Sequence, residues 1–133
     1  MLAERYARNA GAVFSLKFHV VWCPKYRRPV LTPPVEGRLK ALLGEIADEP
    51  GMTIHATEVM PDHVHLFVEA DPALCVAEIV NGFKGKTSRL LREEFPSLRS
   101  RLPTLWGRSY FAASVGAVSE ATIRRYIEAQ KGV

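Results

Sequence analysis

The stretch MTIHATEVMPDHVHLFVEA, Met52 to Ala70, decides the fold. Met52 to Met60 reads as a strand. After the short Met60-Pro61-Asp62 connection, His63 to Ala70 alternates, with Val64, Leu66 and Val68 on one side and His63 and His65 on the other. Two such runs joined by so short a turn predict a β-hairpin.

Toward the N-terminus, Val13 to Cys23 also alternates: Phe14, Leu16, Phe18, Val20 and Trp22 share one side, Ser15, Lys17, His19 and Val21 the other. That pattern predicts a half-buried strand. Pro24 follows it, the basic loop Lys25-Tyr26-Arg27-Arg28 runs into Pro29, and Pro33-Pro34 marks a helix start. Val35, Leu39, Leu42, Leu43 and Ile46 recur at helical spacing until Glu49-Pro50-Gly51 ends the element.

Toward the C-terminus, Asp71 is the expected N-cap and Pro72 the first helical residue of a long helix. Val76, Ile79, Val80, Phe83, Thr87, Leu90 and Leu91 trace its apolar face, and it stops near Phe95-Pro96. A loop with Arg99, Arg101, Trp106 and Arg108 leads to a short strand, Tyr110 to Val115, and then Gly116. Ser119 is the expected N-cap of a last helix, Val118 and Ile123 its hydrophobic staple, Glu120 a complement to its dipole and Gly132 its stop. The first six elements therefore give an α+β, ferredoxin-like split βαβ arrangement. Both helices cover one face of a four-stranded antiparallel sheet, the other face is left free, and a C-terminal helix follows.

Composition bounds this picture. A chain of 133 residues predicts one domain spanning 1–133. With no run of about 18 apolar residues and no basic-then-apolar N-terminus, the expectation is a cytoplasmic protein without membrane contact. Cys23 and Cys75 lie far apart and outside any CxxC spacing, which predicts two buried reduced thiols rather than a disulfide or a thiolate zinc site. Eighteen Lys and Arg against 14 Asp and Glu leave a net charge of +4, a mild bias toward an anionic partner.

Period two sends His63 and His65 to the same face, where two neutral imidazoles can hold a divalent metal; surface or hydrogen-bonded histidines are the plainer alternative. Tyr126 and Gln130 are four apart and share a face of the last helix, a pair that ordinary helix surface also produces. Three basic clusters carry interleaved aromatics or lie beside one: Lys25, Arg27 and Arg28 with Tyr26; Lys84, Lys86 and Arg89; and Arg99, Arg101 and Arg108 around Trp106. Cations for phosphates and rings for unpaired bases suit single-stranded DNA, whereas a solvated basic surface with Trp106 in the core is the alternative. No P-loop is present, so no nucleotide cofactor is expected.

Taken together, Phe18 to Leu31, Met60 to Leu66 and Val118 to Gln130 resemble the small single-tyrosine HUH transposases, the TnpA-type enzymes of the smallest bacterial insertion sequences. The resemblance runs in order over nearly the whole chain. It implies that His63, His65 and Gln130 are ligands of a divalent metal, Mg2+ or Mn2+, and that Tyr126 is the nucleophile. It further implies attack on the scissile phosphate of single-stranded DNA bearing hairpins, a 5′-phosphotyrosine intermediate and a free 3′-OH. A homodimer with composite active sites is also implied. The resemblance departs at Gly116-Ala117, where the family often has Gly-Gly before the last helix. Other readings are a domesticated single-strand endonuclease acting on repeated palindromes and a non-catalytic ferredoxin-like nucleic-acid-binding module.

Overall fold

The computed structural model describes residues 7–9, 12–14, 16–48, 52–71, 74–114 and 120–132. Two three-residue strands, β1 (Ala7–Asn9) and β2 (Ala12–Phe14), pair antiparallel with each other. Next come β3 (Leu16–Trp22), α1 (Val35–Ala47), β4 (Met52–Met60), β5 (His63–Ala70), α2 (Val76–Glu94), α3 (Ser97–Arg101), β6 (Phe111–Ser114) and α4 (Glu120–Ala129). β3 to β6 form one sheet in the order β4-β5-β3-β6, every pair antiparallel, which is the ferredoxin-like order.

The hairpin forms where it was expected. Met60 pairs with His63 across Pro61-Asp62, and the register runs back to Met52 opposite Ala70 with one irregularity between Ile54 and Ala56. Alternation then separates the faces: Val64, Leu66, Val68 and Ala70 are buried with Val20 and Trp22, while His63, His65 and Phe67 stay half-buried on the other side. The buried side packs against Leu39, Leu42, Leu43 and Ile46 of α1 and Ile79, Val80, Phe83 and Leu91 of α2, forming one apolar core. Trp22 stacks on Phe83 and meets Trp106 edge-on, and Trp106 Nε1 donates to Thr87 Oγ1 at 3.0 Å inside that core.

Several expectations need correction. The single strand from Val13 to Cys23 is two: β2 turns back to pair with β1, and Leu16, assigned to the core side, is 45% exposed. Val21, assigned to the open side, is fully buried. Its sheet neighbours are His65 and Phe111, and α4 lies over both, so the second face is not free at this end. α2 starts at Val76, with Cys75 rather than Asp71 at its N-cap, because the Leu74 N–H closes a turn onto Asp71 O at 2.9 Å before the first helical bond forms. Cys75 is accordingly exposed, not buried. The loop after Phe95-Pro96 contains the helix α3, and the last strand spans Phe111–Ser114. The expected stop at Glu49-Pro50-Gly51, Pro72, the Gly116-Ala117 link, Val118 and the Ser119 cap lie outside the described residues.

Candidate active site at the sheet end

His63 opens β5, and the preceding Asp62 is its partner: Asp62 Oδ1 sits 2.8 Å from His63 Nδ1. A carboxylate only accepts, so His63 donates through Nδ1 and turns its Nε2 lone pair outward, the orientation a metal ligand needs. His65 is half-buried, and desolvation, reinforced by neighbouring His19, holds its pKa below the usual imidazole range, which favours the neutral ring. His65 Nε2 lies 2.9 Å from His19 Nδ1 on β3, and His19 stacks on Phe67. His19 was read only as an open-side residue of its strand; its place across the sheet from the histidine pair was the signal for this contact.

A cleft of about 430 Å³ stands over the pair, lined by His63, His65, Glu58, Asp62 and Arg27 from the sheet side and Ile123, Arg124, Ile127 and Glu128 from α4. Arg27 ties the two sides together. Its Nε is 3.4 Å from Asp62 Oδ2, its Nη1 is 3.5 Å from Glu128 Oε2, and Nη1 donates to Ile127 O at 3.3 Å. Arg27 and its neighbour Tyr26 are held at φ 55° and 61°, a left-handed backbone that is costly for non-glycine residues. The strained turn thereby aims the guanidinium inward and leaves Tyr26 exposed, with Lys25 Nζ 5.1 Å from its ring centre. Beside it, Tyr26, Arg27, Arg28, Lys131 and Gly132 border an open cleft of about 480 Å³.

Tyr126 and Gln130 do share a face, but not the one over this chain's own histidines. Neither lines the cleft there. From helix geometry their direction is roughly 110° round the axis from the Ile123, Arg124, Ile127 and Glu128 face. The Tyr126 ring rests on Phe111, with centroids 5.7 Å apart, and its hydroxyl is 2.8 Å from Ser109 Oγ, which donates to Gln130 Oε1 at 3.0 Å. Burial raises the Tyr126 pKa, so the resting phenol is protonated at neutral pH.

The other basic residues divide. Lys84 turns inward and donates to Gly107 O at 2.7 Å and Ser109 O at 3.2 Å, and desolvation lowers its pKa. Lys86 lies with Arg38, Leu42 and Leu90 along the helical layer, and Arg89 pairs loosely with Glu93 at 3.9 Å, both on the layer opposite the histidines. Arg99, Arg101 and Arg108 are exposed, and Trp106 is a core residue.

As a metal site the donor chemistry fits: a pre-oriented His63 Nε2, a neutral His65 ring and an amide oxygen suit a divalent ion of intermediate hardness. Among the described residues no group of three or more His, Cys, Asp and Glu converges.

Residues 12–130 match the family described as IS200-like transposase. Over 125 residues the chain is 38% identical to the ISDra2 transposase TnpA of Deinococcus radiodurans, covering 92% of this chain and 89% of that protein. It is 29% identical over 119 residues to the transposase for insertion sequence element IS200 of Salmonella typhimurium, covering 88% of this chain and 78% of that one. The crystal structure of a protein from Deinococcus radiodurans R1 superposes with a TM-score of 0.88 at 36% identity, over 96% of this chain and 99% of that chain. A REP-associated tyrosine transposase, solved bound to a REP hairpin, shares the fold with a TM-score of 0.57 at 12% identity, over 92% and 68% of the two chains.

Proposed function

Because the chain belongs to the IS200-like transposase family, we propose that it binds hairpins in single-stranded DNA at insertion-sequence ends and cuts and rejoins strands through Tyr126, acting in the cytoplasm. The observation that carries this reading is the convergence at one end of the sheet of the two β5 imidazoles and of the helix that bears a phenol and an amide on one face. No helix among the described residues is long and apolar enough to cross a membrane.

The chemistry is a transesterification. The Tyr126 oxygen attacks phosphorus, the bond from phosphorus to the 3′ oxygen breaks, and the phenolic proton is balanced by protonation of the leaving 3′-OH. The bond energy is kept in the 5′-phosphotyrosine, so a second 3′-OH can reverse the step without ATP. His63, His65 and Gln130 would hold the divalent metal, Mg2+ or Mn2+, which when bound supplies positive charge to the scissile phosphate. His63 is held by Asp62 with Nε2 outward, and His65, whose lowered pKa favours the neutral ring, would ligate through Nε2 on exchanging its contact with His19 Nδ1 for the metal. Exposed Tyr26 offers a stacking face for an unpaired base, with Lys25, Arg28 and Arg108 beside or near the strand.

Tyr126 and Gln130 face Phe111 and Ser109 and not this chain's own histidine cleft, which supports a homodimer in which the phenol and amide of one chain meet the histidine pair of the other. A labelled hairpin oligonucleotide incubated with Mn2+ and the wild-type protein should yield a covalent protein–DNA adduct. Tyr126→Phe should yield none while binding the hairpin as before. Absence of any wild-type adduct contradicts the transesterification.

A further inference from the structure

We propose that Ser109 is a positioning residue that sets the Tyr126 hydroxyl and the Gln130 amide oxygen in one fixed relation for strand cleavage. This inference rests on the roles proposed above for those two groups.

A serine hydroxyl has a single proton. Ser109 Oγ donates it to Gln130 Oε1 at 3.0 Å, so toward Tyr126, 2.8 Å away, it can only accept. The phenolic proton therefore points at Ser109, and the oxygen lone pairs of Tyr126 are left for an electrophile. Gln130 Oε1 keeps a second lone pair. The amide cannot turn over freely, because its Nε2 donates back to Tyr126 O at 3.3 Å, closing a ring of three residues. No carboxylate or imidazole belongs to this ring, and an amide does not accept a proton at neutral pH, so the arrangement orients the phenol and does not deprotonate it.

Ser109 is itself anchored. The half-buried Lys84 ammonium holds Ser109 O and Gly107 O, the Gly107 N–H bonds Cys23 O at 2.9 Å at the end of β3, and two residues on Phe111 enters β6 and supports the Tyr126 ring. The hydroxyl thus projects from backbone tied to the sheet, whereas Tyr126 and Gln130 sit on a helix joined to it through residues 115–119. Without Ser109 the direction of this face rests on the Phe111 ring contact and on Arg27's hold of Ile127 O and Glu128, neither of which fixes the hydroxyl or the amide. Loss of two oriented hydrogen bonds should cost about tenfold in the rate of a step that needs both groups placed together.

The test compares wild type, Ser109→Ala and Ser109→Thr by single-turnover adduct formation on a labelled hairpin oligonucleotide with Mn2+, alongside hairpin affinity. In parallel, 3-fluorotyrosine at position 126 is read by 19F NMR without DNA. Ser109→Ala should form adduct about tenfold more slowly with hairpin affinity within about twofold of wild type, and should shift the 19F resonance. Ser109→Thr, which keeps the hydroxyl, should restore both. An unchanged or faster Ser109→Ala overturns the proposal, and so does a Thr variant as slow as Ala. A wild type that forms no adduct overturns the tyrosine reading first and this one with it, whereas an active wild type with an indifferent Ser109→Ala overturns this one alone.

Discussion

At the scale of single residues, the two cysteines show how little sequence distance says about chemistry. Cys23 is buried behind the histidine end of the sheet, and desolvation, reinforced by the Asp62 charge and only partly offset by Arg27 and Lys84, pushes its thiol up to about 12. Cys75 caps α2 and is exposed. One thiol per chain should therefore react quickly with a disulfide reagent at mildly alkaline pH, the other only after denaturation; two fast equivalents would contradict the packing around Cys23. The orientation of His63 and His65 was legible because strand alternation is a local rule and β5 obeys it along its whole length. The partners of those residues were not legible. His19 meets His65 from 46 positions away, and Ser109 meets Tyr126 across 17, through register and packing that no local pattern encodes.

At the scale of elements, α4 is the piece on which the site depends, and Arg27 is its most direct tether. Arg27→Ala removes the link from Ile127 O and Glu128 to Asp62. Amide exchange over Glu120–Ala129 should accelerate by about five- to tenfold while β5 stays protected, as measured by hydrogen–deuterium exchange. Equal protection in the variant would show that α4 is held without Arg27, by its apolar face and the Ser109 hydrogen bonds. Longer elements were read well: β5 and the apolar face of α1 agree with their patterns nearly residue for residue, and β4 with its expected bounds. Short ones were not. Three-residue strands such as β1 and β2, or a five-residue helix such as α3, contain too few repeats to show a period. The start of α2 moved because a turn at Asp71 to Leu74 competes with the helix for the same backbone groups.

At the scale of the whole molecule, the sheet order β4-β5-β3-β6 puts the histidine strand in the interior, with β3 between it and β6, the strand that supports Tyr126. That topology followed from the order of elements. The partial covering of the open face by α4 did not, because it depends on where the last helix docks. The net charge of +4 proves less informative than its placement: Lys25, Tyr26 and Arg28 lie at the histidine end of the sheet, whereas Lys84 is internal and Lys86 and Arg89 face the helical layer. In the proposed homodimer the phenol of one chain works with the histidines of another. Differently tagged His63→Ala and Tyr126→Phe chains, each without adduct formation as a pure dimer, should be co-expressed and the mixed dimer purified on both tags. The mixed dimer should form adduct on the hairpin oligonucleotide at about half the wild-type level, one of two sites being intact and the labelled chain being the one that carries Tyr126. A mixed dimer that forms no adduct, while wild type does, would contradict it.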